Sequence, residues 1–315
     1  MNLLVGLLAQ DHHDPAVIGP LVADNVALHS PQVFHVRLAE SEITFICLTS
    51  QDDFLVLEAC DAALVIVDGL TGLSPVQMNL WSKACDSSIP RGVLSVNSVG
   101  TRADFDEVVA IAERVLDDDI LVRHMPIVSD DESTLVGQFD ILTGQILARD
   151  ANGFMSRPGD PEHMQLTFER REDLVETLTH FSEGEALIEA LIAGMPTNTP
   201  GLERAFLADD IVAVTAIDNG VGVPVLREWL AARKPRWIPS VDSQGVISDA
   251  SNSPTRVGLG ISAGLARTWG PHTHELQCTC SFEFDTPCLV ACGSAAPGHT
   301  FTESGQMSKL FAPEF

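Results

Sequence analysis

Residues 62–69 read AALVIVDG, a run of apolar and β-branched side chains with no polar face. A strand buried on one side alternates apolar and polar residues. A run without alternation therefore belongs to a strand covered on both sides, as in the middle of a parallel sheet. Such a strand needs neighbours of its own kind and helices to cover it, and the chain supplies both. LLVGLLA (3–9), GVLSVNSV (92–99) and IVAVTAID (211–218) are further buried runs. VFHVRLA (33–39) and EITFICL (42–48) read as a strand pair, the first alternating like an edge strand and the second more buried. SPVQMNLWSKAC (74–85) opens with Ser74-Pro75, a cap followed by proline at the first helical position. ADFDEVVAIAERVL (103–116) sets Phe105, Val108, Val109, Ala112 and Val115 on one helical stripe, and VPVLREWLAA (223–232) is helix-like. Strands alternating with helices predict an α/β fold, a doubly wound and mainly parallel sheet.

The alternation breaks over approximately 120–210. LVRHMPIVSD and STLVGQFDILTGQILA read as a strand pair, 149–162 as a polar loop, and REDLVETLTHF and EGEALIEALIAG as two helices. This stretch reads as an α+β insert. Residues 232–254 are rich in Pro, Ser, Gly and Asp and read as a boundary. The predicted organisation is one domain over 1–236 carrying the insert, then a linker and a small β-rich domain over 237–315.

Forty-four acidic residues against 18 basic ones give a net charge of −26, which repels phosphate backbones and argues against DNA or broad nucleic-acid binding. The one short basic stretch is REWLAARKPRW (227–237). No apolar run is long enough to span a bilayer, so no membrane role is expected. MNLLVGLLAQ lacks a basic start and a cleavage site, and reads as a first strand rather than a signal peptide. Seven cysteines without a secretory signal point to free thiols and a cytoplasmic location. Cys47, Cys60 and Cys85 read as core.

The stretch from Asp61 to Val109 resembles the GTPase domain of translation elongation factor G. That family carries a strand ending in Asp, then G-V-E-P-Q-T, a helix with a central Trp, V-P-R, a strand ending V-N-K-M-D, and G-A-D-F. The corresponding pieces here are Val67-Asp68, GLSPVQ, Trp81, IPR (89–91), SVNSVG and RADF. VRHMPIVSDDESTLVGQFDILTGQIL resembles the start of the family's insert, REDLVETL and SEGEALIEALIAG its helical part, and VTAIDNGVGVPVLREWLAA its G-S-A-x-K-N-x-G-V loop and closing helix. In order, the resemblance covers residues 3 to about 236. It implies a P-loop-GTPase-like fold with an insert. The 237–315 unit would then be a reduced second domain. The chain stops before the family's third to fifth domains, so translocation is not expected of it.

The family's nucleotide chemistry is not carried over. A G-x-x-x-x-G-K-[ST] loop cradles phosphate with backbone N–H groups, neutralises it with Lys and holds Mg²⁺ through Ser/Thr. Where the family has A-H-I-D-H-G-K-T-T, this chain has Ala9-Gln10-Asp11-His12-His13-Asp14-Pro15-Ala16-Val17. Asp14 brings a carboxylate to the glycine position. Pro15 removes the lysine cation and an N–H donor, and Ala16 or Val17 the Mg²⁺ hydroxyl. The family's D-T-P-G-H, whose Asp holds Mg²⁺ through water and whose Gly senses the γ-phosphate, corresponds to Cys47-Leu48-Thr49-Ser50-Gln51. Its base-reading N-K-x-D corresponds to Asn97-Ser98-Val99-Gly100, which keeps the Asn and lacks the Asp. The first switch loop is reduced to the polar link ADNVALHSPQ (23–32). With all of these lost together, no catalytic residue and no bound cofactor are expected, and GTP hydrolysis is not expected. The resemblance then implies a catalytically inactive, translation-factor-like pseudo-GTPase that binds or regulates, with the ribosome or its stalk protein as partner.

Two histidine-bearing stretches invite a metal reading. DHHDP (11–15) reads as a solvated loop, because adjacent side chains diverge and Pro15 forces a turn. Near the other end stand His272 and His274, Cys278 and Cys280, and Cys288 and Cys292. Zinc takes four such ligands, although no C-x₂-C is present, and thiols buried in a β core are the other reading. A zinc-binding protein or enzyme centred on these residues is the alternative function. The acidic runs 117–119 and 129–133 read as solvated loops.

Overall fold

The computed structural model describes residues 2–10, 26–30, 33–38, 41–58, 60–99, 104–116, 119–131, 134–150, 153–179, 199–218, 220–234, 239–241, 247–249, 258–262, 265–269 and 289–291. The fold is mixed α/β, with a mainly parallel sheet and a separate antiparallel sheet. The chain divides into two compact units: Met1–Leu64, Pro75–Ile89 and Arg233–Phe315 form the first, and Val65–Ser74 and Pro90–Ala232 the second. The fully covered strand β5 (Ala62–Asp68) is itself divided, ending one unit and beginning the other. Its first six residues are buried, as the unbroken apolar run requires.

In the first unit the strand order is β2 (Val26–Ser30), β3 (Val33–Leu38), β4 (Ser41–Leu48), β1 (Asn2–Leu8), β5. Strands β1 and β4 run parallel, from Asn2 opposite Glu42 to Leu8 opposite Leu48. Strands β3 and β4 are antiparallel, with Phe34 opposite Phe45. Two expectations need correction here. The polar link 23–32 contains strand β2, antiparallel to β3, and β3 is therefore an inner strand and not the edge. VALHS carries too weak a pattern to announce a strand; the ladder that β3 offers supplies the pairing. A short 3-10 turn (Gln51–Asp53) and helix α1 (Phe54–Glu58) follow β4. Helix α2 (Pro75–Asp86) buries Gln77, Leu80, Trp81 and Ala84. Gln77 Nε2 donates to the carbonyl of Leu8 over 3.0 Å, which ties the helix to the end of β1. Cys47 and Cys60 are buried as expected, but Cys85 is exposed, because it follows Ala84 onto the outer face of α2. Five short strands also belong to this unit. Strands β13 (Pro239–Val241) and β14 (Ile247–Asp249) pair with each other. Strand β15 (Gly258–Ser262) pairs with both β16 (Leu265–Trp269) and β17 (Leu289–Ala291).

In the second unit β5 continues into the order β6 (Arg91–Val96), β12 (Val212–Ala216), β7 (Ile120–Leu121). The pairs β6–β12 and β12–β7 are parallel. Helix α3 (Phe105–Leu116) opens with a reciprocal cap: Glu107 N–H donates to Asp104 Oδ1 and Asp104 N–H to Glu107 Oε2. It buries Phe105, Val108, Val109, Ala112 and Leu116, so Leu116 takes the place expected of Val115. The insert is a four-stranded antiparallel sheet, β11 (Gly153–Pro158), β10 (Gln145–Asp150), β9 (Leu135–Asp140), β8 (His124–Val128). The expected strand pair is thus several strands, and Ile120–Leu121 joins the parallel sheet instead. The expected loop 149–162 holds β11 and the start of helix α4 (Pro161–Leu166). Helices α5 (Phe168–Thr179) and α6 (Thr199–Phe206) follow, and α7 (Val223–Ala232) closes the unit over Trp229 and Leu230. The second expected insert helix, 183–194, lies outside the described residues. Phe139, Ile146, Leu174, Leu178, Phe206 and Ala213 share one apolar core, so the insert packs on strand β12.

Candidate functional site

Open α/β sheets present ligands beyond the carboxyl ends of their parallel strands, so the site is built from those ends. In the first unit these are the ends of β1 and β4. Ala9 N–H donates to the Leu48 carbonyl over 3.2 Å and continues the ladder past the last strand residue. Asp14, Pro15 and Ala16 lie outside the described residues. The turn after β4 is described. Its Cys47, aligned by resemblance with the family's Mg²⁺-holding Asp, is buried and carries no carboxylate. Beyond it, Thr49 N–H and Ser50 N–H both donate to the same oxygen of Asp53, Oδ2, each over 2.9 Å. By the resemblance, Ser50 aligns with the family's γ-phosphate-sensing glycine. The Asp53 carboxylate, reaching back from the first turn after the strand, takes up its backbone N–H. The arrangement is half of a capping box, in which a side chain three residues into a helix satisfies the donors before it. Sequence reasoning passed over it, although the spacing Ser50-x-x-Asp53 is its signal.

In the second unit the relevant ends are those of β5, β6 and β12. Asn97, aligned by resemblance with the Asn of the family's base-reading motif, has a left-handed backbone, φ 51°. Asn tolerates this conformation better than most residues. Its Nδ2 donates to Asp68 Oδ2 over 2.9 Å, while Asp68 Oδ1 accepts the Leu70 N–H over 2.6 Å. Gly69 N–H donates to the Val96 carbonyl and Ile217 N–H to the Ser95 carbonyl. The Asn97 carboxamide thus fastens the end of β5 to the end of β6. Gly100 lies outside the described residues. The turn after β12 is closed by Asp218 and Val221, which exchange backbone hydrogen bonds, and Gly222 adopts φ 86°. A Cβ at Gly222 would collide with the Ala216 carbonyl oxygen, so only glycine fits there.

A second cluster in this unit was not anticipated. Arg123, 3% exposed, forms a bidentate pair with Asp140, Nε to Oδ1 over 3.0 Å and Nη2 to Oδ2 over 2.7 Å. Nη2 also reaches Glu203 Oε1 at 2.9 Å, Nη1 lies 3.9 Å from Glu228 Oε1, and the guanidinium sits 5.6 Å from the Phe206 ring centre. His124 is buried beside it, its Nε2 3.8 Å from Asp140 Oδ2 and without a hydrogen-bond partner. Burial drives the His124 pKa down to about 4; Arg123 adds to the fall and Asp140 opposes it. Burial alone would raise Asp140, but the Arg123 hydrogen bond, with further help from His124, holds its pKa below the ordinary carboxylate value. Burial also works against the Arg123 charge, yet Asp140, Glu228 and Glu203 raise its pKa. Glu228 is pushed up, first by its own burial and then by Glu203 and Asp140, against the pull of Arg123. The described carboxylates here are engaged by one guanidinium, so Arg123, just before β8, clamps β9, α6 and α7 together. No local motif announces it, because Glu203 lies 80 residues from Arg123.

Among the described residues no group of three or more His, Cys, Asp or Glu side chains is placed to hold a metal. His272, His274, Cys278, Cys280, Cys288 and Cys292 lie outside the described residues. No helix among those described is long and apolar enough to cross a membrane.

No family model matches the chain. Elongation factor G 2 of Hahella chejuensis (strain KCTC 2396) is 28% identical over 173 residues, which is 54% of this chain and 24% of that protein. The chain therefore spans about a quarter of the length of this curated relative. The crystal structure of ttk003000868 from Thermus thermophilus superposes with a TM-score of 0.58 at 18% identity, covering 74% of this chain and 40% of that one. In sequence, over about half its length, this chain is similar to an elongation factor G, and in fold it is similar to the Thermus protein.

Proposed function

We propose that this chain is a pseudo-GTPase of the elongation-factor-G type: a translation-factor-like protein that does not hydrolyse GTP and acts in the cytoplasm by binding the ribosome or its stalk. The observation that carries the reading is the Asp53 carboxylate seated on the Thr49 and Ser50 amides. Enzymes of this fold accelerate phosphoryl transfer almost wholly by positioning and by stabilising charge with cations and N–H donors. Here an anion of the chain itself faces those donors, and the aligned sequence replaces lysine with Pro15 and the Mg²⁺-holding Asp with Cys47. Both changes oppose a triphosphate.

The test is a calorimetric titration of the purified chain with GTP and with GDP, with and without Mg²⁺. The expected result is no binding at micromolar nucleotide; a micromolar or tighter dissociation constant would overturn the proposal. Co-sedimentation with ribosomes at low salt tests the partner. Pelleting of the chain only when ribosomes are present is expected, and its absence there removes the ribosome from the reading.

A further inference from the structure

Strand β11 is the outermost strand of the insert sheet, and among the described residues no strand pairs with its far edge. Such an edge is a template for another strand unless it is blunted by charge, proline or cover. Here Arg157 and Pro158 blunt only its last two positions, and Phe154, Met155 and Ser156 before them carry neither charge nor proline. Every residue of Phe154–Pro158 is exposed, and α4, which follows, buries none of its side chains. The exposed large apolar side chains concentrate in this stretch: Phe154, Met155, Met164, Leu166 and Phe168. The charge is also unlike that of the chain as a whole. Residues 149–171 carry four arginines against four carboxylates, in a chain of net charge −26.

The register says what the edge can receive. Asp150 faces Gly153 across the β10–β11 hairpin, with two residues between them. The pair that closes a two-residue hairpin is hydrogen-bonded, and the pairs alternate from there. Gly153, Met155 and Arg157 therefore bond inward to β10. The backbone groups of Phe154, Ser156 and Pro158 point outward. Pro158, which has no N–H, stands at an outward position, where a ladder bond is not required of it. Two N–H donors remain, on Phe154 and Ser156. An antiparallel copy of the same strand, with its two-fold axis at Met155, places Phe154 opposite Ser156 of the second copy and the reverse. Both donors and their two carbonyls are then used in each copy, Pro158 falls outside the bonded pairs, and Met155 meets Met155 of the second copy.

We propose that β11 is a self-recognition edge, through which two copies of this chain pair as antiparallel strands about a two-fold axis at Met155. The second copy is the occupant because the strand is complementary to itself in this register, and because this is a stretch where two acidic chains can meet without net local repulsion. Closed two-fold pairing of this kind also leaves no propagating edge.

The experiment is sedimentation velocity of the whole chain from micromolar to high-micromolar concentration, at physiological ionic strength. A dimer is expected. Ser156→Pro, which removes one outward donor, and Met155→Lys, which places two ammonium groups at the axis, are each expected to weaken dimerisation at least tenfold while the circular dichroism spectrum of the folded chain at 25 °C is unchanged. Three results overturn the proposal: a monomer throughout the range, a dimer indifferent to both substitutions, or β11 amides protected from hydrogen exchange only when a different protein is added.

Discussion

At the scale of single residues, His124 carries the clearest consequence. Its folded pKa is about 4, below the unfolded value of 6.5, so between these values the unfolded chain binds more protons than the folded one. Stability is therefore unpenalised above pH 6.5 and falls as pH drops from 6.5 towards 4, by about 3 kcal/mol in all. The lowered pKa of Asp140 adds a loss of the same sign at still lower pH. Urea denaturation at a series of pH values checks this, and His124→Gln is expected to flatten the slope between pH 6.5 and 4. An unchanged slope in that variant would place the titration elsewhere. The residues of this clamp were not legible in the sequence. Arg123 and His124 stand in a strand-like run, and Asp140 precedes a turn. Only the fold brings Glu203 and Glu228 to them, and burial, which lowers the His124 pKa and raises that of Glu228, is a property of the packed unit.

At the scale of elements, the turn after β4 depends on one side chain. Asp53→Ala removes the acceptor of two backbone donors and leaves them to solvent, a loss comparable to that of a helix cap, about 1 kcal/mol. A fall of that size in the free energy of unfolding is expected from denaturant curves; a change below a few tenths would show that water replaces Asp53 without cost. The elements themselves were legible where one chain segment decides its own state. AALVIVDG announced a strand covered on both faces, and the 3.6-residue stripe of 105–116 announced α3, with the last turn rotated from Val115 to Leu116. They were illegible where the partner decides. Strand β2 forms because β3 offers a ladder, and β11 forms because β10 turns back on it; neither carries an alternating pattern of its own.

At the scale of the whole molecule, charge is the governing quantity. A net charge of −26 places many like charges within reach of one another and works against the compact state. Raising NaCl shortens the Debye length from about 30 Å at 0.01 M to about 8 Å at 0.15 M. The denaturation midpoint is expected to rise over that range at constant pH, as followed by circular dichroism. A midpoint that falls instead would mean that attractive pairs, such as Arg170–Asp106, outweigh the self-repulsion. The fold class was legible at this scale from alternation alone. What the turns at the strand ends hold was only partly so, since substitutions show which groups are missing but not which group has taken their place.

The Asp53 turn has a consequence for control. A tethered carboxylate competes at an effective concentration on the order of millimolar or above, set by its linker and independent of what the cell contains. On the function proposed above, a phosphate group would have to displace it with no lysine to assist. A turn filled in this way would have one setting, where a nucleotide-driven loop has two. A pseudo-GTPase of that kind would keep no time: what it did would be governed by how much of it was present and by what it met.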